Sequence, residues 1–137
     1  MANIFKAIRD SIEKIKMERE KRRELDKLIK EFCSNEWEQA HHSWLGTHVF
    51  KEITPFLKPC PHCGSEVELS YKDEMHVYYH NRYVIRCHNY NTGCNLFSKM
   101  SLHVTPDTLF CDLSEETREK YMRQIINDWN NQEEKNA

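Results

Sequence analysis

Two pairs of cysteines constrain this chain more than any other feature. Two residues separate Cys60 from Cys63, and six residues separate Cys87 from Cys94. Four thiols in two such pairs can form a tetrahedral shell around one Zn(II) ion, and that ion can order a segment too small for a large hydrophobic core. The sequence therefore predicts one structural zinc ion bound by these four cysteines.

The local sequence around the first pair favours a metal-binding turn, whereas the second pair leaves alternatives open. Pro61 pre-sets one backbone angle of the turn, and Gly64 suits the conformation that often follows the second thiol. The longer second loop makes His88 an alternative ligand, and His62 is another in the first pair. A shell of four thiolates has no open position, so we expect a structural site and no enzyme activity.

Residues 1–32 are predicted to form one long amphipathic helix that precedes the metal-binding segment. They contain no Gly or Pro, and isoleucines recur at the spacing of one helical face, at Ile4, Ile8, Ile12 and Ile15. Arg19 and Arg22 interrupt this stripe before a second apolar patch at Leu25, Leu28 and Phe32. The stripe, Arg22 and Arg23 are candidate partner-binding residues. Homodimerisation through this helix and packing on the chain's own sheet both remain possible.

The rest of the chain is predicted to be a small α+β domain of the zinc-ribbon type. Residues 33–56 form a connector rich in aromatic rings and histidines, residues 57–131 form an antiparallel sheet covered by a C-terminal helix, and residues 132–137 form a frayed tail. Strands are expected at residues 67–71, 77–79, 83–85 and 96–104, where β-prone residues recur. Ser114 caps the last helix, whose apolar residues should cover the sheet: Tyr121, Met122, Ile125, Ile126 and Trp129.

The remaining reactive side chains favour packing over chemistry. Cys33 and Cys111 lie outside both pairs, so each is interpreted as a small apolar side chain. His41, His42 and His48 could form a second metal site or acid/base groups, but adjacent histidines point in different directions in regular elements. No catalytic triad or phosphate-binding loop motif occurs in the sequence.

Charge and cysteine usage indicate a cytosolic protein that acts on other proteins. The formal net charge is −2, which gives little general attraction for nucleic acid, although residues 1–32 carry ten basic against seven acidic residues. The sequence has no signal-peptide pattern and no long apolar run, so no membrane partner is expected. In a reducing compartment, paired cysteines are expected to bind metal rather than to form disulfides.

Three pieces of the sequence recur together in one phage family. The first piece is the cysteine pair with its lead-in, Leu57-Lys58-Pro59-Cys60-Pro61-His62-Cys63-Gly64-Ser65. The second is a predicted strand that ends at the second cysteine pair. The third is the last helix, which ends in Trp129-Asn130. Over residues 57–131 this arrangement resembles the Lar family of restriction-alleviation proteins of phages and prophages. The resemblance implies a phage origin, bound zinc and a location in the cytoplasm of the host bacterium. Cys87-His88-Asn89 with Cys94 is also similar to the second knuckle of the Ogr/Delta late-gene activators.

The leading expectation is a phage-encoded zinc protein that counters a host defence by binding a restriction-modification subunit or a related protein. The alternative is a regulator that binds nucleic acid or, as the Ogr/Delta similarity implies, host RNA polymerase. Six aromatic side chains either stack on single strands or, as we favour for several of them, form the core of the ribbon and its cover. They are Tyr71, Tyr78, Tyr79, Tyr83, Tyr90 and Phe97. A nuclease built on His41 and His42 is the least favoured hypothesis, because no ordered set of carboxylates accompanies them.

Overall fold

The computed structural model describes residues 2–41, 46–73, 81–87, 94, 99–104 and 108–132. Its elements are α1 (Ala2–Cys33), α2 (Asn35–Ala40), β1 (Gly46–Val49), a 3-10 helix (Lys51–Phe56), β2 (Val67–Asp73), β3 (Arg82–Cys87), β4 (Lys99–His103), a 3-10 turn (Phe110–Asp112) and α3 (Glu115–Asn130). The predicted α+β class is confirmed, with a long N-terminal helix, an antiparallel sheet and a C-terminal helix.

The four strands form an antiparallel meander in the order β1-β2-β3-β4. Strand residues alternate between two faces, and the side chains that enter the main core are Val67, Leu69 and Tyr71 of β2 and Tyr83, Ile85 and Cys87 of β3. The register pairs Leu69 with Ile85 and Tyr71 with Tyr83 across the two central strands. The strand predicted at residues 77–79 lies outside the described residues.

The segment between α1 and the first cysteine pair contributes more structure than its composition indicates. Besides α2 and the 3-10 helix, it supplies β1, which pairs with β2 as the edge strand of the sheet. Phe50 is fully buried, and its ring packs against those of Phe32 and Trp37. The aromatic residues of this segment therefore extend the core, as their interpretation as packing groups predicted.

Helix α1 is continuous, as predicted, but only its last third joins the core. Ile29, Phe32 and Cys33 are buried, whereas every side chain of residues 3–24 is exposed. The isoleucine stripe thus does not pack on the sheet, which excludes one of the two possibilities named for it. At a rise of 1.5 Å per residue, the exposed part projects for about 30 Å. None of the described helices combines the length and apolar content that crossing a bilayer requires.

Helix α3 covers the sheet and forms the centre of the domain. The Ser114 hydroxyl accepts a hydrogen bond of 3.1 Å from the Thr117 N–H, which confirms the predicted N-cap. Met122, Ile125, Ile126 and Trp129 are all buried in the core cluster, at the helical spacing that indicated this face.

A buried arginine joins α3 to three other elements. The Arg118 side chain is completely buried, and its guanidinium donates hydrogen bonds to four acceptors: the carbonyl oxygens of Phe110 (3.1 Å), Cys33 (3.1 Å) and Cys111 (3.2 Å), and Asn35 Oδ1 (2.8 Å). Its carbon Cζ also lies 4.9 Å from the Phe110 ring centroid. Because Cys33 ends α1, this side chain ties the end of α1 to the start of α3.

We predict that Arg118→Lys lowers the free energy of unfolding by about 2–4 kcal/mol. The single ammonium of lysine cannot donate to all four acceptors that surround the planar guanidinium. The matched control is Arg123→Lys, whose side chain is 41% exposed and pairs with Asp26 and Glu119. We expect its effect to stay below about 1 kcal/mol. Urea unfolding measures both, and equal effects would contradict the role assigned to Arg118.

Candidate metal centre

The sheet brings the two predicted cysteine pairs together. Cys60 and Cys63 lie in the turn before β2, and Cys87 ends β3, where it is in register with Val67 at the start of β2. Cys94 follows β3 in the chain. All four sulfur atoms lie within 4.8 Å of one another, so the group can hold one metal ion.

The sulfur spacing fits a tetrahedral thiolate site better than a pair of disulfides. Cys60 Sγ is 3.6 Å from Cys94 Sγ, and Cys63 Sγ is 3.3 Å from Cys87 Sγ. Four sulfurs at about 2.3 Å from one ion would be about 3.8 Å apart, whereas a disulfide bond is about 2.0 Å long. Each of the close contacts joins a cysteine of the first pair to one of the second, so an ion held here would tie the turn to the end of β3.

The first turn has the backbone hydrogen bonds of a metal-binding knuckle. The Gly64 N–H donates to the Cys60 carbonyl at 2.9 Å, and the Cys60 N–H donates to the Ser65 carbonyl at the same distance. Gly64 has φ +75°, and a Cβ atom at this position would meet nothing within 4 Å. The glycine is therefore required for its backbone conformation and not for space, which agrees with its predicted role.

Hydrogen bonds favour the ionised form of the most exposed thiol. The Ser65 hydroxyl and then the Ser65 backbone N–H donate to Cys63 Sγ and, with the neighbouring Cys87, lower the pKa of Cys63 to about 6. The His62 N–H lies 3.4 Å from Cys60 Sγ and stabilises negative charge there in the same way. A thiolate is the form that binds metal, so these donors prepare the turn for a cation.

The cluster has one exposed and three buried members. Cys60, Cys87 and Cys94 are buried, while Cys63 faces solvent. Among the described residues, the grouped ligands are all cysteines, and His62 is not one of them. The alternative ligand His88 lies outside the described residues.

The end of α3 holds the chain segment that leads into the first turn. Trp129 Nε1 donates to the Lys58 carbonyl at 2.8 Å. Asn130 accepts from the Lys58 N–H at 2.8 Å and donates to the Phe56 carbonyl at 2.9 Å. In the sequence, the Trp-Asn pair was notable only as part of a family resemblance. Nothing in the residues next to Asn130 indicated that its side chain would bond to Lys58 and Phe56.

The other cysteines, and the other histidines that the structure describes, do not join this site. Cys33 is buried in the core, as predicted, where burial raises its pKa to about 12. Burial also raises the pKa of Cys111, which is half-buried. The His41 ring stacks on Trp37 at 4.3 Å, and His42 lies outside the described residues. His48 is buried, with Nε2 3.3 Å from Asp73 Oδ2.

The candidate partner-binding residues lie on α1 and are not part of the cysteine cluster. Ile4, Ile8, Ile12 and Ile15 are among the exposed large apolar side chains, and Arg22 and Arg23 are exposed beyond them. In contrast, Tyr71 and Tyr83 are completely buried, which confirms core packing for these two and rules out base stacking by them. The four other candidates for base stacking lie outside the described residues.

The chain was compared with protein-family models, curated proteins and solved structures, and none of them matches it.

We predict that Asn130→Ala lowers the free energy of unfolding by about 1–2 kcal/mol, because the Lys58 N–H and the Phe56 carbonyl lose their side-chain partners. Asn131→Ala is the matched control, since the Asn131 amide donates to Asn127 within its own helix. We expect its effect to stay within about 0.5 kcal/mol. Urea unfolding of both variants measures these effects. An effect of Asn131→Ala as large as that of Asn130→Ala would contradict the role assigned to the Asn130 hydrogen bonds.

Proposed function

We propose that this chain is a zinc-stabilised binding protein that presents its N-terminal helix to a partner and counters a host defence in the bacterial cytoplasm. The observation that carries the binding function is the isoleucine stripe, which the fold leaves in solvent. Large exposed apolar surfaces on small proteins mark interaction sites. The cysteine cluster serves this function indirectly by stabilising the domain from which the helix projects.

Zinc is the metal that suits the ligand set. Four thiolates in a tetrahedral arrangement are a common ligand set of structural zinc sites, and they leave no coordination position for a substrate. The ligands are also joined to the core, because Cys60, Cys87 and Cys94 belong to the same buried cluster as the residues of β2 and β3. Bound zinc would therefore stabilise the whole sheet and not only the turn.

We predict that the purified protein contains one zinc ion per chain and that Cys60→Ser abolishes stoichiometric binding. Cys111→Ser, at a half-buried cysteine outside the cluster, should retain the ion. Elemental analysis measures the stoichiometry, and the absorption of the cobalt-substituted protein reports thiolate ligands. Chelation should lower the melting temperature. Protein that is metal-free when prepared under reducing conditions, and is insensitive to chelators, would contradict the zinc site.

The role against a host defence rests on the resemblance to the Lar family, and the contacts supply a physical reason for its motif. The Leu57-Lys58-Pro59 lead-in and the Trp129-Asn130 ending are far apart in sequence but bond to each other directly. Such a contact would make the two motifs occur together in any chain that orders its first cysteine turn in this manner. A restriction-modification subunit or a related defence protein is the partner that the resemblance indicates.

We predict that expression of this protein raises the plating efficiency of unmodified phage on a restricting host. Cys60→Ser should reduce this effect, because the domain that carries α1 loses its metal. Cys111→Ser should act like the wild-type protein. Unchanged plating across a panel of restricting hosts that accumulate the folded protein would refute this role.

Binding of nucleic acid is a second candidate, favoured by the charges on the outer face of the sheet. Four cations lie on alternate strand positions there: Lys72, Arg82, Arg86 and Lys99. The centre of the same face is covered, however, since Ser70 and Val84 are 2% and 0% exposed. Among the described residues this face presents no open platform for base stacking, so we place protein binding first.

A further inference from the structure

The exposed part of α1 carries an apolar stripe that no other described residue of the chain covers. Its side chains are between 48% and 68% exposed: Ile4, Phe5, Ile8, Ile12 and Ile15. Intervals of three and four residues place them on one face of the helix. Five large apolar groups along about three helical turns match the anchor pattern of a helix that packs against another helix or into a groove.

Positive charge follows the same face. Arg19 and Arg22 continue the row of isoleucines at the same spacing, and Arg9, Lys16 and Arg23 recur every seven residues along one edge of it. Most acidic residues of this part of α1 take the opposite side, at Asp10, Glu13, Glu20 and Glu24, whereas Glu18 lies at the edge of the stripe and lines a cavity with Arg22. The face that carries the stripe is therefore apolar near the N-terminus and cationic near the domain.

A shallow groove between α1 and α3 adjoins this face, on the side of α1 that carries Leu25 and Ile29. The groove has a volume of about 640 Å³, and Leu25, Ile29 and Ile126 contribute its apolar wall. Lys120 and Arg123 line it as well, and Arg123 pairs with Asp26 and Glu119. A second cavity of about 440 Å³ adjoins it and includes Arg22, Phe56 and Lys58. The Lys21 ammonium lies 6.0 Å from the centroid of the Phe56 ring.

We propose that the stripe and the groove form one docking surface for an acidic amphipathic helix of another protein. Apolar residues of that helix would cover the isoleucines, and its carboxylates would meet Arg19, Arg22 and Lys120 of the groove. This inference rests on the proposed binding function and names the chemistry of the partner. The groove supplies a concave end to the site, so the partner helix would lie along α1 and stop against the domain.

A second copy of this chain fits the surface poorly. Parallel pairing would place Arg19 and Arg22 opposite the same residues of the other copy, and antiparallel pairing would bring together the two edges that carry Arg9 and Lys16. The stripe also spans only about two heptads, which is short for a stable two-stranded coiled coil. A flat anionic lipid surface could contact the stripe but would leave the groove unfilled.

Synthetic helical peptides test the proposal with the full-length, metal-loaded protein. The probe is a peptide about four heptads long with Leu at the seam positions facing the stripe and Glu at the flanking positions. The comparison peptide has the same leucines with Lys in place of Glu. We expect the acidic peptide to bind at least about tenfold more tightly than the basic one, with an affinity that falls as salt increases.

Variants of exposed residues locate the binding surface without disturbing the core. Ile12→Glu should weaken binding of the acidic peptide by at least about tenfold, because it places a charge in the apolar seam. Met17→Glu is the matched control, since Met17 is 69% exposed on the opposite side of the helix. The double variant Arg19→Glu/Arg22→Glu should also weaken binding, whereas Lys6→Glu/Lys14→Glu should have a smaller effect.

Four results would overturn the proposal. They are equal or absent binding of the two peptides, equal effects of Ile12→Glu and Met17→Glu, a dimer in sedimentation that Ile12→Glu abolishes, and flotation with phosphatidylglycerol vesicles that Ile12→Glu abolishes.

Plating assays separate this proposal from the proposed function. If the wild-type protein and Ile12→Glu protect phage equally, α1 is not the partner-binding surface, while the role against a host defence stands. If neither protein protects phage, the peptide measurements still show whether this surface binds an acidic helix.

Discussion

The placement of the long helix depends on one buried guanidinium, that of Arg118. A charged side chain without exposed surface is stable only when its donors are satisfied, and here they meet backbone carbonyls at the end of α1 and in the turn before α3, together with Asn35. The carbonyl of Cys33 belongs to the last turn of α1, where the helix dipole favours a positive group. The charge thus serves two purposes, because it completes the hydrogen bonding of a helix end and sets the angle of the projecting helix.

Helix α3 contacts both the end of α1 and the segment that leads into the cysteine cluster. Arg118 lies in its first turns and holds α1, while Trp129 and Asn130 lie in its last turn and hold the lead-in to Cys60. The buried face between them packs on the sheet, whose β3 strand ends in Cys87. The cluster and α1 therefore belong to one packed unit, in which Leu25 of α1 and Lys58 of the lead-in to Cys60 line the same cavity. Loss of a cysteine ligand would lower the stability of the platform that supports α1.

The local elements were predictable where a pattern lies within one short segment. The cysteine spacing, the isoleucine periodicity and the Ser114 cap each depend on neighbouring residues, and the structure places all three as the sequence indicated. The edge strand β1 was missed, because its four residues gain their strand geometry only by pairing with β2. Arg118 also gave no signal, since a basic residue in an acidic helical turn resembles an ordinary solvent-exposed charge.

The sequence by itself determined the class of fold, the four thiols that converge and the amphipathic character of α1, because these follow from residue type and spacing along the chain. Only the tertiary structure decided which apolar residues are buried. Tyr71 and Tyr83 enter the core, while the isoleucines of α1, which are no less apolar, stay in solvent. The physical reason is geometric: Arg118 and the packing of Ile29 and Phe32 hold the end of α1 on the domain, and its first turns extend beyond the surface that the described residues form.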